Sequence, residues 1–462
     1  MCEKLKRYYK NMKGKKIAFC GIGRSNLPLI YKYLELGASV TACDRRSKEQ
    51  LKGVAEELEK AGISLSLGEE YLQNLDVDII FRTPGMNFLL PELTEARRNG
   101  IAVTSEMEEF FYLCPSTIFA VTGSDGKTTT TTLISEMLKA EGKKVFLGGN
   151  IGYPLLPEID KITSDDFAVV ELSSFQLISM RRSPDIAVIT NIAPNHLDVH
   201  ESMDEYISAK KNIYMHQNAF SRTVLNLDND ITRGLIDETR GQTLLFSRKK
   251  PVLAGAFLSD DGYLCLAEKG DVSCVMHKDD ILLPGEHNIE NYLAAITAVS
   301  GYVSFENMKK VAKNFSGVEH RIEFVREKDG VKYYNDSIAT SPTRAIAAMN
   351  SFKQKVILIA GGYDKNIPFE PMAEKVNEKV RTLILTGPTA KIIEKAVTEC
   401  PLYDAENLKI IRVKDLPDAV KTAFENAKAG DIVTLSPACA SFDTYPNFEV
   451  RGNHFKELVK AL

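Results

Sequence analysis

Residues Gly123-Ser-Asp-Gly-Lys-Thr128 have the types and the spacing to hold a polyphosphate. Gly123 and Gly126 permit a sharp turn that aims backbone N–H groups into one concavity where a helix also begins. Ser124, Asp125 and Thr129 complete the loop and the first helical turn. Lys127 is placed to reach the outer phosphates, and the Thr128 hydroxyl to face a magnesium ion. The spacing departs from G-x-x-x-x-G-K-[ST], because Val121 stands where that pattern takes its first glycine. A Gly-Lys turn capping a threonine-rich helix is the plainer alternative. The loop can work only if a strand delivers it and a helix follows. The apolar run 117–121 reads as that strand, and the segment 127–140 as that helix.

Glu171 ends the strand-like run AVVE, where a magnesium ligand belongs and where an ordinary exposed acid also fits. His196 follows the run IAVITNI, in the kind of loop where an open α/β sheet places its site. His200 lies four residues on, but Leu197 stands where H-E-x-x-H needs glutamate, so zinc is not expected. Lys210 falls in a helix starting at Asp204, on the stripe of Tyr206, Ile207, Ile213 and Tyr214. Two readings of it stand. It is a snorkelling stem, or a buried lysine whose lowered pKa leaves an amine able to take up carbon dioxide as a metal-binding carbamate.

His287, Asn288 and Asn291 open a later helix, where amides either read a purine edge or cap the helix. His320-Arg321 is a candidate phosphate clamp. Asn335-Asp336-Ser337, Thr340, Lys365 and Ser441 follow apolar runs and have loop readings as well as functional ones. Near the N-terminus, Gly21-Ile-Gly-Arg-Ser25-Asn26 follows a strand, and Asp44 ends the next one. That is most of a dinucleotide fingerprint with Asn26 in place of the third glycine, and a diphosphate on another carrier would use it equally well. Thr83-Pro-Gly85 adds a turn at the end of another strand.

The elements that must position these residues alternate strand and helix almost throughout, which predicts an α/β protein with mainly parallel sheets. The strand–loop–helix theme restarts three times. This gives a Rossmann-like block at 1–105, a central P-loop ATPase-type block at 106–317 and a Rossmann-like block at 318–462. A chain of 462 residues exceeds one core. Its net charge of −4 argues against a nucleic-acid binder. Nothing approaches the roughly 18 apolar residues of a membrane span, and the basic N-terminus lacks a signal-peptide core. A cytoplasmic protein is expected, with its eight scattered cysteines reduced and neither disulfides nor zinc.

Together the segments GSDGKTTT, GGNIG, ELSSFQL, NIAPNHLDVH with Y-x-x-A-K, LPGEHNIENY, EHR, NDSIATSPT and SPACASFD-x-x-x-NFE-x-RG resemble the Mur ligases of peptidoglycan synthesis along the whole chain. NDS-x-A-T and SPACAS, and the lack of a DNPR segment, point to the branch that adds D-glutamate to UDP-N-acetylmuramoyl-L-alanine. The resemblance implies ATP and two magnesium ions as cofactors and an acyl-phosphate intermediate, and a monomer is expected. It implies that Ser25, Asn26, Asp44, Arg45, Thr83, Gly85 and Asn150 hold the UDP substrate. The loop residues with Asn288, Asn291, Arg321 and Asp336 would bind ATP, and Thr128, Glu171, His196 and Lys210 the metals. Lys127, His196 and carbamylated Lys210 would be catalytic, while Thr340, Lys365, Ser441 and Phe448 would hold D-glutamate. Two positions depart from the family. Asp125 replaces its usual Asn or Lys, and Ile338 its frequent Lys, leaving Lys365 more of the charge pairing. A folylpolyglutamate-synthase-like ligase would leave the first block idle, and a nucleotide switch would not need the polar set of the third.

Overall fold

The computed structural model describes residues 3–193, 202–283, 285–365 and 367–462. Three sheets organise the chain, and each grows from the apolar runs in its sequence. Strands Ser64–Leu67, Ser39–Asp44, Lys16–Cys20, Ile79–Arg82 and Ala102–Thr104 form, in that spatial order, a wholly parallel five-stranded sheet. Phe19 and Phe81 stack across it at 4.8 Å, with Tyr33 edge-on to both. Its strand order reverses beside Lys16–Cys20, so the loops after Cys20 and Arg82 share one crevice edge. They touch closely enough that a Cβ on Gly21 (φ +98°) would lie 2.8 Å from Thr83 Cγ2.

The second sheet has nine strands, with Thr117–Thr122 between Ile186–Ile189 and Phe167–Glu171. Val145–Gly149 lies outside Phe167–Glu171, while Arg222–Asn226, Gln242–Ser247 and Gly255–Leu258 continue the parallel array on the other side. Two antiparallel strands, Tyr263–Glu268 and Asp271–His277, finish it. The third sheet places Ile432–Leu435 between Val331–Asn335 and Val356–Gly361, all parallel, with Val380–Thr386 and Lys409–Arg412 outward and Glu323–Lys328 antiparallel at the other edge. The near-continuous apolar strands, such as Val356–Gly361 with every residue buried, are those of parallel sheets covered on both faces.

The chain divides into two compact units, Met1–Lys278 with Ile289–Val311, and Asp279–Asn288 with Ala312–Leu462. The first carries the five- and nine-stranded sheets, which are joined through buried polar contacts. Glu106, at the start of helix Glu106–Leu113, accepts from the N–H groups of Leu155 and Leu156 at 2.8 Å each. Burial lifts the Glu106 carboxyl to about 7 despite those two bonds. Arg82 donates to the Phe175 carbonyl and to Ser179 Oγ at 3.1 and 2.6 Å. Among the described residues no helix is long and apolar enough to cross a membrane.

Candidate active site

The loop after Thr117–Thr122 is a cradle that only glycine can build. Gly123 has φ +151°, and a Cβ there would lie 1.9 Å from Thr190 Oγ1. Gly126 has φ +77°, and its Cβ would meet Asn291 Oδ1 at 2.3 Å. Helix Lys127–Ala140 begins on Gly126 with no side-chain cap, so its first N–H groups are not consumed by a capping side chain. Five consecutive threonines are poor helix formers. Here Thr131 and Thr132 return their hydroxyls to the carbonyls of Lys127 and Thr128, while Leu133, Ile134, Met137 and Leu138 are buried.

Neighbouring strand ends clamp the loop. Asn191 accepts from the Ser124 N–H through its carbonyl and from the Asp125 N–H through its side chain, both at 2.9 Å. Thr190 Oγ1 donates to the Asp125 carbonyl at 2.5 Å. Ser124 Oγ donates to the Ala193 carbonyl at 2.9 Å and meets Tyr206 OH at 3.1 Å. Lys127 Nζ donates to the carbonyls of Gly123 and Ser124, at 3.0 and 2.9 Å, which keeps its ammonium on the loop. Asp125 is exposed, Thr128 buried and Thr129 partly buried. Asn288 and Asn291 both lie buried on helix Glu286–Val299, and Asn291 Oδ1 also accepts from Thr130 at 3.2 Å.

Two charged groups lie buried beside the cradle. Glu171 is 1% exposed at the end of its strand. Its Oε1 accepts from Asn150 Nδ2 at 2.7 Å, and its enclosed Oε2 has no hydrogen-bond partner among the described residues. An unsatisfied buried carboxylate oxygen is costly and fits a cation ligand. Lys210 is also 1% exposed, in helix Met203–Met215. Its Nζ donates to the Gly123 carbonyl at 2.8 Å and lies 4.6 Å from the Tyr206 ring centre. Desolvation, reinforced by Lys127 and partly opposed by Asp125 and Glu171, lowers its pKa to about 7. Its neighbour Lys211 turns away to pair with Glu238. The histidines at 196 and 200 lie outside the described residues.

In the second unit, Asp336 follows strand Val331–Asn335 with both oxygens engaged. Oδ1 accepts from the Ile322 N–H at 3.2 Å and Oδ2 from Ser436 Oγ at 2.7 Å. Burial raises it to about 7, against those bonds and the charges of Arg321 and Arg344. Arg321 lies between His320 and Ile322, whose φ angles of +64° and +45° are strained for residues with side chains. Gly452 makes room for this bend, since a Cβ there would lie 2.2 Å from His320 Nδ1. Lys365 Nζ donates to the carbonyl and hydroxyl of Thr340, at 3.3 and 3.4 Å. Ser441 is buried, and the Phe448 carbonyl accepts from Ser337 Oγ at 2.8 Å.

On the five-stranded sheet, Asn26 is buried and gives its amide to the carbonyls of Cys20 and Gly21, so it shapes the turn after the strand. Ser25 is partly buried in that turn, and Gly85 has open space around it. Asp44 accepts from the Ile22 N–H and from the Arg46 guanidinium, each at 2.8 Å. Burial pushes its carboxyl up, but the bonds from Arg46 and Ile22 outweigh that and hold it below the ordinary value. Arg45 pairs with Glu69 on the surface.

Four contributors were not singled out in the sequence. Arg46 sits beside Asp44, and Thr190 and Asn191 sit at a strand end, where a polar residue is a usable signal. Arg451 is the fourth. Buried on helix Phe448–Ala461, it donates to Ser337 Oγ and O at 3.0 and 2.9 Å and to the carbonyls of Ala440 and Cys439 at 3.1 Å each. Burial lowers its guanidinium to about 10.

Fold and cradle define a phosphate-loop α/β protein. The model of the Mur ligase middle domain matches residues 121–299, and that of the Mur ligase, glutamate ligase domain matches 320–439. A UDP-N-acetylmuramoylalanine–D-glutamate ligase of Acetivibrio thermocellus is 53% identical over 466 residues, covering 100% of both chains. One of Clostridium botulinum (strain Okra) is 52% identical over 452 residues, 98% of each. Solved structures share the fold. A UDP-N-acetylmuramate-alanine ligase of Thermotoga maritima aligns with TM-score 0.57 at 20% identity, covering 97% of this chain and 99% of that one. A UDP-N-acetylmuramoyl-L-alanyl-D-glutamate–2,6-diaminopimelate ligase aligns with TM-score 0.58 at 19% identity, covering 97% and 93%. The chain belongs to the Mur ligase family.

Proposed function

We propose that this chain is an ATP-dependent, ADP-forming ligase that adds D-glutamate to UDP-N-acetylmuramoyl-L-alanine in peptidoglycan precursor synthesis. The observation that carries this reading is that relatives bearing that activity in their names match the chain from end to end at 52–53% identity. The cradle supports the phosphoryl half of the reaction. An uncapped helix start, the ammonium of Lys127 and the orphaned Glu171 oxygen are the groups a magnesium-bound triphosphate needs.

The chemistry follows from the poor reactivity of a carboxylate. One oxygen of the L-alanyl carboxylate attacks the γ-phosphorus of ATP, ADP leaves, and an acyl phosphate forms. The amine of D-glutamate then attacks the acyl carbon, and the tetrahedral intermediate collapses to an amide with loss of phosphate and a proton. In this reading Gly123 to Thr129 orient the phosphates, Lys127 balances charge on the transferring group, and Asn288, Asn291, Arg321 and Asp336 hold the nucleotide. Thr128 and Glu171 would hold one magnesium ion, and His196 with carbamylated Lys210 a second. Magnesium bound by these residues would supply charge neutralisation of the phosphate oxygens and Lewis-acid polarisation of the phosphoryl group. A lysine near pKa 7 has the neutral amine that carbamylation requires. Thr340, Lys365, Ser441 and Phe448 would hold D-glutamate. Ser25, Asn26, Asp44, Arg45, Thr83, Gly85 and Asn150 would serve the UDP end, with Asp44 acting through the Arg46 pair. We place the functional blocks at 1–105, 106–317 and 318–462, in a monomeric cytoplasmic enzyme.

The test is phosphate release from ATP and magnesium with UDP-N-acetylmuramoyl-L-alanine, with and without D-glutamate. Release that needs both co-substrates, with a product heavier by one glutamyl residue, is expected. Tight ATP binding with no turnover on any amino acid would replace this reading with a nucleotide-binding protein.

A further inference from the structure

Two pairs of cysteines face each other across neighbouring strands. Cys20 and Cys43 are register partners in the parallel five-stranded sheet, and both are fully enclosed. Cys265 and Cys274 are register partners in the antiparallel hairpin Tyr263–Glu268 and Asp271–His277, with their sulfurs 3.0 Å apart. No C-x-x-C spacing marks this second pair in the sequence. The hairpin creates it.

The connection is a two-residue turn, Lys269-Gly270, with φ +53° and +92°, the left-handed pair that a type I′ turn requires. The flanking residues Glu268 and Asp271 are register partners, the position that such a two-residue turn makes hydrogen-bonded. From that turn, alternation along an antiparallel ladder makes Ala267/Val272 non-bonded, Leu266/Ser273 bonded and Cys265/Cys274 non-bonded again, and the register slips by one residue only beyond them, between Cys265 and Leu264. Non-bonded positions bring Cα atoms to about 4.5 Å, inside the ~4.4–6.8 Å span of a disulfide. Access then separates the two cysteines. Asp271–His277 is the edge strand of its sheet, with Cys274 exposed, while Cys265 is 2% exposed.

We propose that Cys265 and Cys274 form a reversible thiol–disulfide site whose oxidant is a low-molecular-weight disulfide, RSSR. The exposed Cys274, as thiolate, attacks one sulfur of RSSR. The S–S bond breaks, RS⁻ leaves, and a Cys274–SR mixed disulfide remains. Cys265 then loses its proton and attacks Cys274 Sγ, expelling the second RS⁻. Two protein thiols give up two electrons and two protons, and RSSR becomes two RSH. Burial, and then the Cys274 thiol beside it, raise the Cys265 pKa, so Cys274 reacts first. Capping Cys274 removes its contribution to that rise. The Cys20–Cys43 pair offers a small oxidant no such entry, and serves as an internal control.

The experiment treats the folded, fully reduced protein with oxidised glutathione, alkylates the remaining thiols and maps the tryptic peptides without reduction. Trypsin cuts after Lys269, between the two cysteines, so a Cys265–Cys274 disulfide joins two otherwise separate peptides. That linked pair is expected in most molecules, reversed by dithiothreitol, with Cys20 and Cys43 still thiols. Cys265→Ser is expected to stop at the glutathione adduct on Cys274. Wild-type protein that also stops at that adduct, or that leaves both cysteines as thiols, would overturn the proposal.

Discussion

The phosphate cradle and the polar loops of the six-stranded sheet bury charge in opposite ways. Beside the cradle, Glu171 keeps an oxygen without a partner among the described residues, and Lys210 is held near neutrality. At the six-stranded sheet, both oxygens of Asp336 are bonded and Arg451 spends four hydrogen bonds tying the Ser337 turn to the Cys439–Ala440 segment. The first arrangement stores electrostatic cost that a cation or an added carboxylate would relieve. The second fixes a shape, with Thr340 and the exposed Lys365 on it, although Arg321 Nε and, on the strands beneath, Tyr333 Oη and Thr434 Oγ1 have no hydrogen-bond partner among the described residues. One region is built to receive charge and the other to hold geometry, and substitutions should divide along that line.

The largest effect is expected at Lys210. Lys210→Ala should lower kcat by about 10³-fold or more, the scale of a lost metal ligand and its charge. Bicarbonate should not restore it, and a short carboxylic acid filling the place of the proposed carbamate should restore part. Full activity in the variant would remove Lys210 from the chemistry. Next comes Glu171→Gln, which keeps shape and removes charge. A magnesium titration should show affinity weakened by about 10–100-fold, with the fold unchanged. An unaltered titration would leave the orphaned oxygen without a metal role.

Arg451 should fail differently. Arg451→Met removes four buried hydrogen bonds and orphans the carbonyls that accept them, and denaturant unfolding should show a loss of about 3–5 kcal/mol. At temperatures where the variant stays folded, KM for D-glutamate should rise while KM for ATP holds. A rise in both would make Arg451 a general stabiliser and blur the comparison. The smallest effects are in pH dependence. Lys210 titrates near 7 when folded against 10.5 when not, so the unfolded state binds the extra proton and stability rises with pH between those values. Asp336 sits near 7 when folded against 3.8, so the stability it contributes is complete below 3.8 and lost as pH rises through 7. Asp336→Asn should flatten the fall between pH 4 and 7, and Lys210→Met the rise above 7. Urea midpoints across pH would reveal either slope unchanged.

What the sequence disclosed follows from range. The strand, glycine turn and helix of the cradle are contiguous, so helix Lys127–Ala140 begins and ends where its residues indicate. Lys210 was legible because its apolar neighbours repeat at helical spacing within one element. Arg451 was not, because the Ser337 atoms it serves lie 114 residues away, and nothing local distinguishes a buried arginine from a surface one. The strained bend at His320 and Ile322 shows in the sequence only as EHR, and its enabling Gly452 only as RG. The antiparallel strands 263–277 went unread because short alternating strands at a sheet edge carry a weak pattern beside the apolar parallel ones.

The most direct test of the proposed chemistry follows the oxygen. UDP-N-acetylmuramoyl-L-alanine labelled with ¹⁸O in its carboxylate is turned over with ATP, magnesium and D-glutamate, and the released phosphate is weighed by mass spectrometry. Transfer through an acyl phosphate predicts one ¹⁸O atom in each phosphate from a fully labelled carboxylate. Phosphate without label would mean that the γ-phosphoryl never reaches the carboxylate, and would contradict the account at its centre.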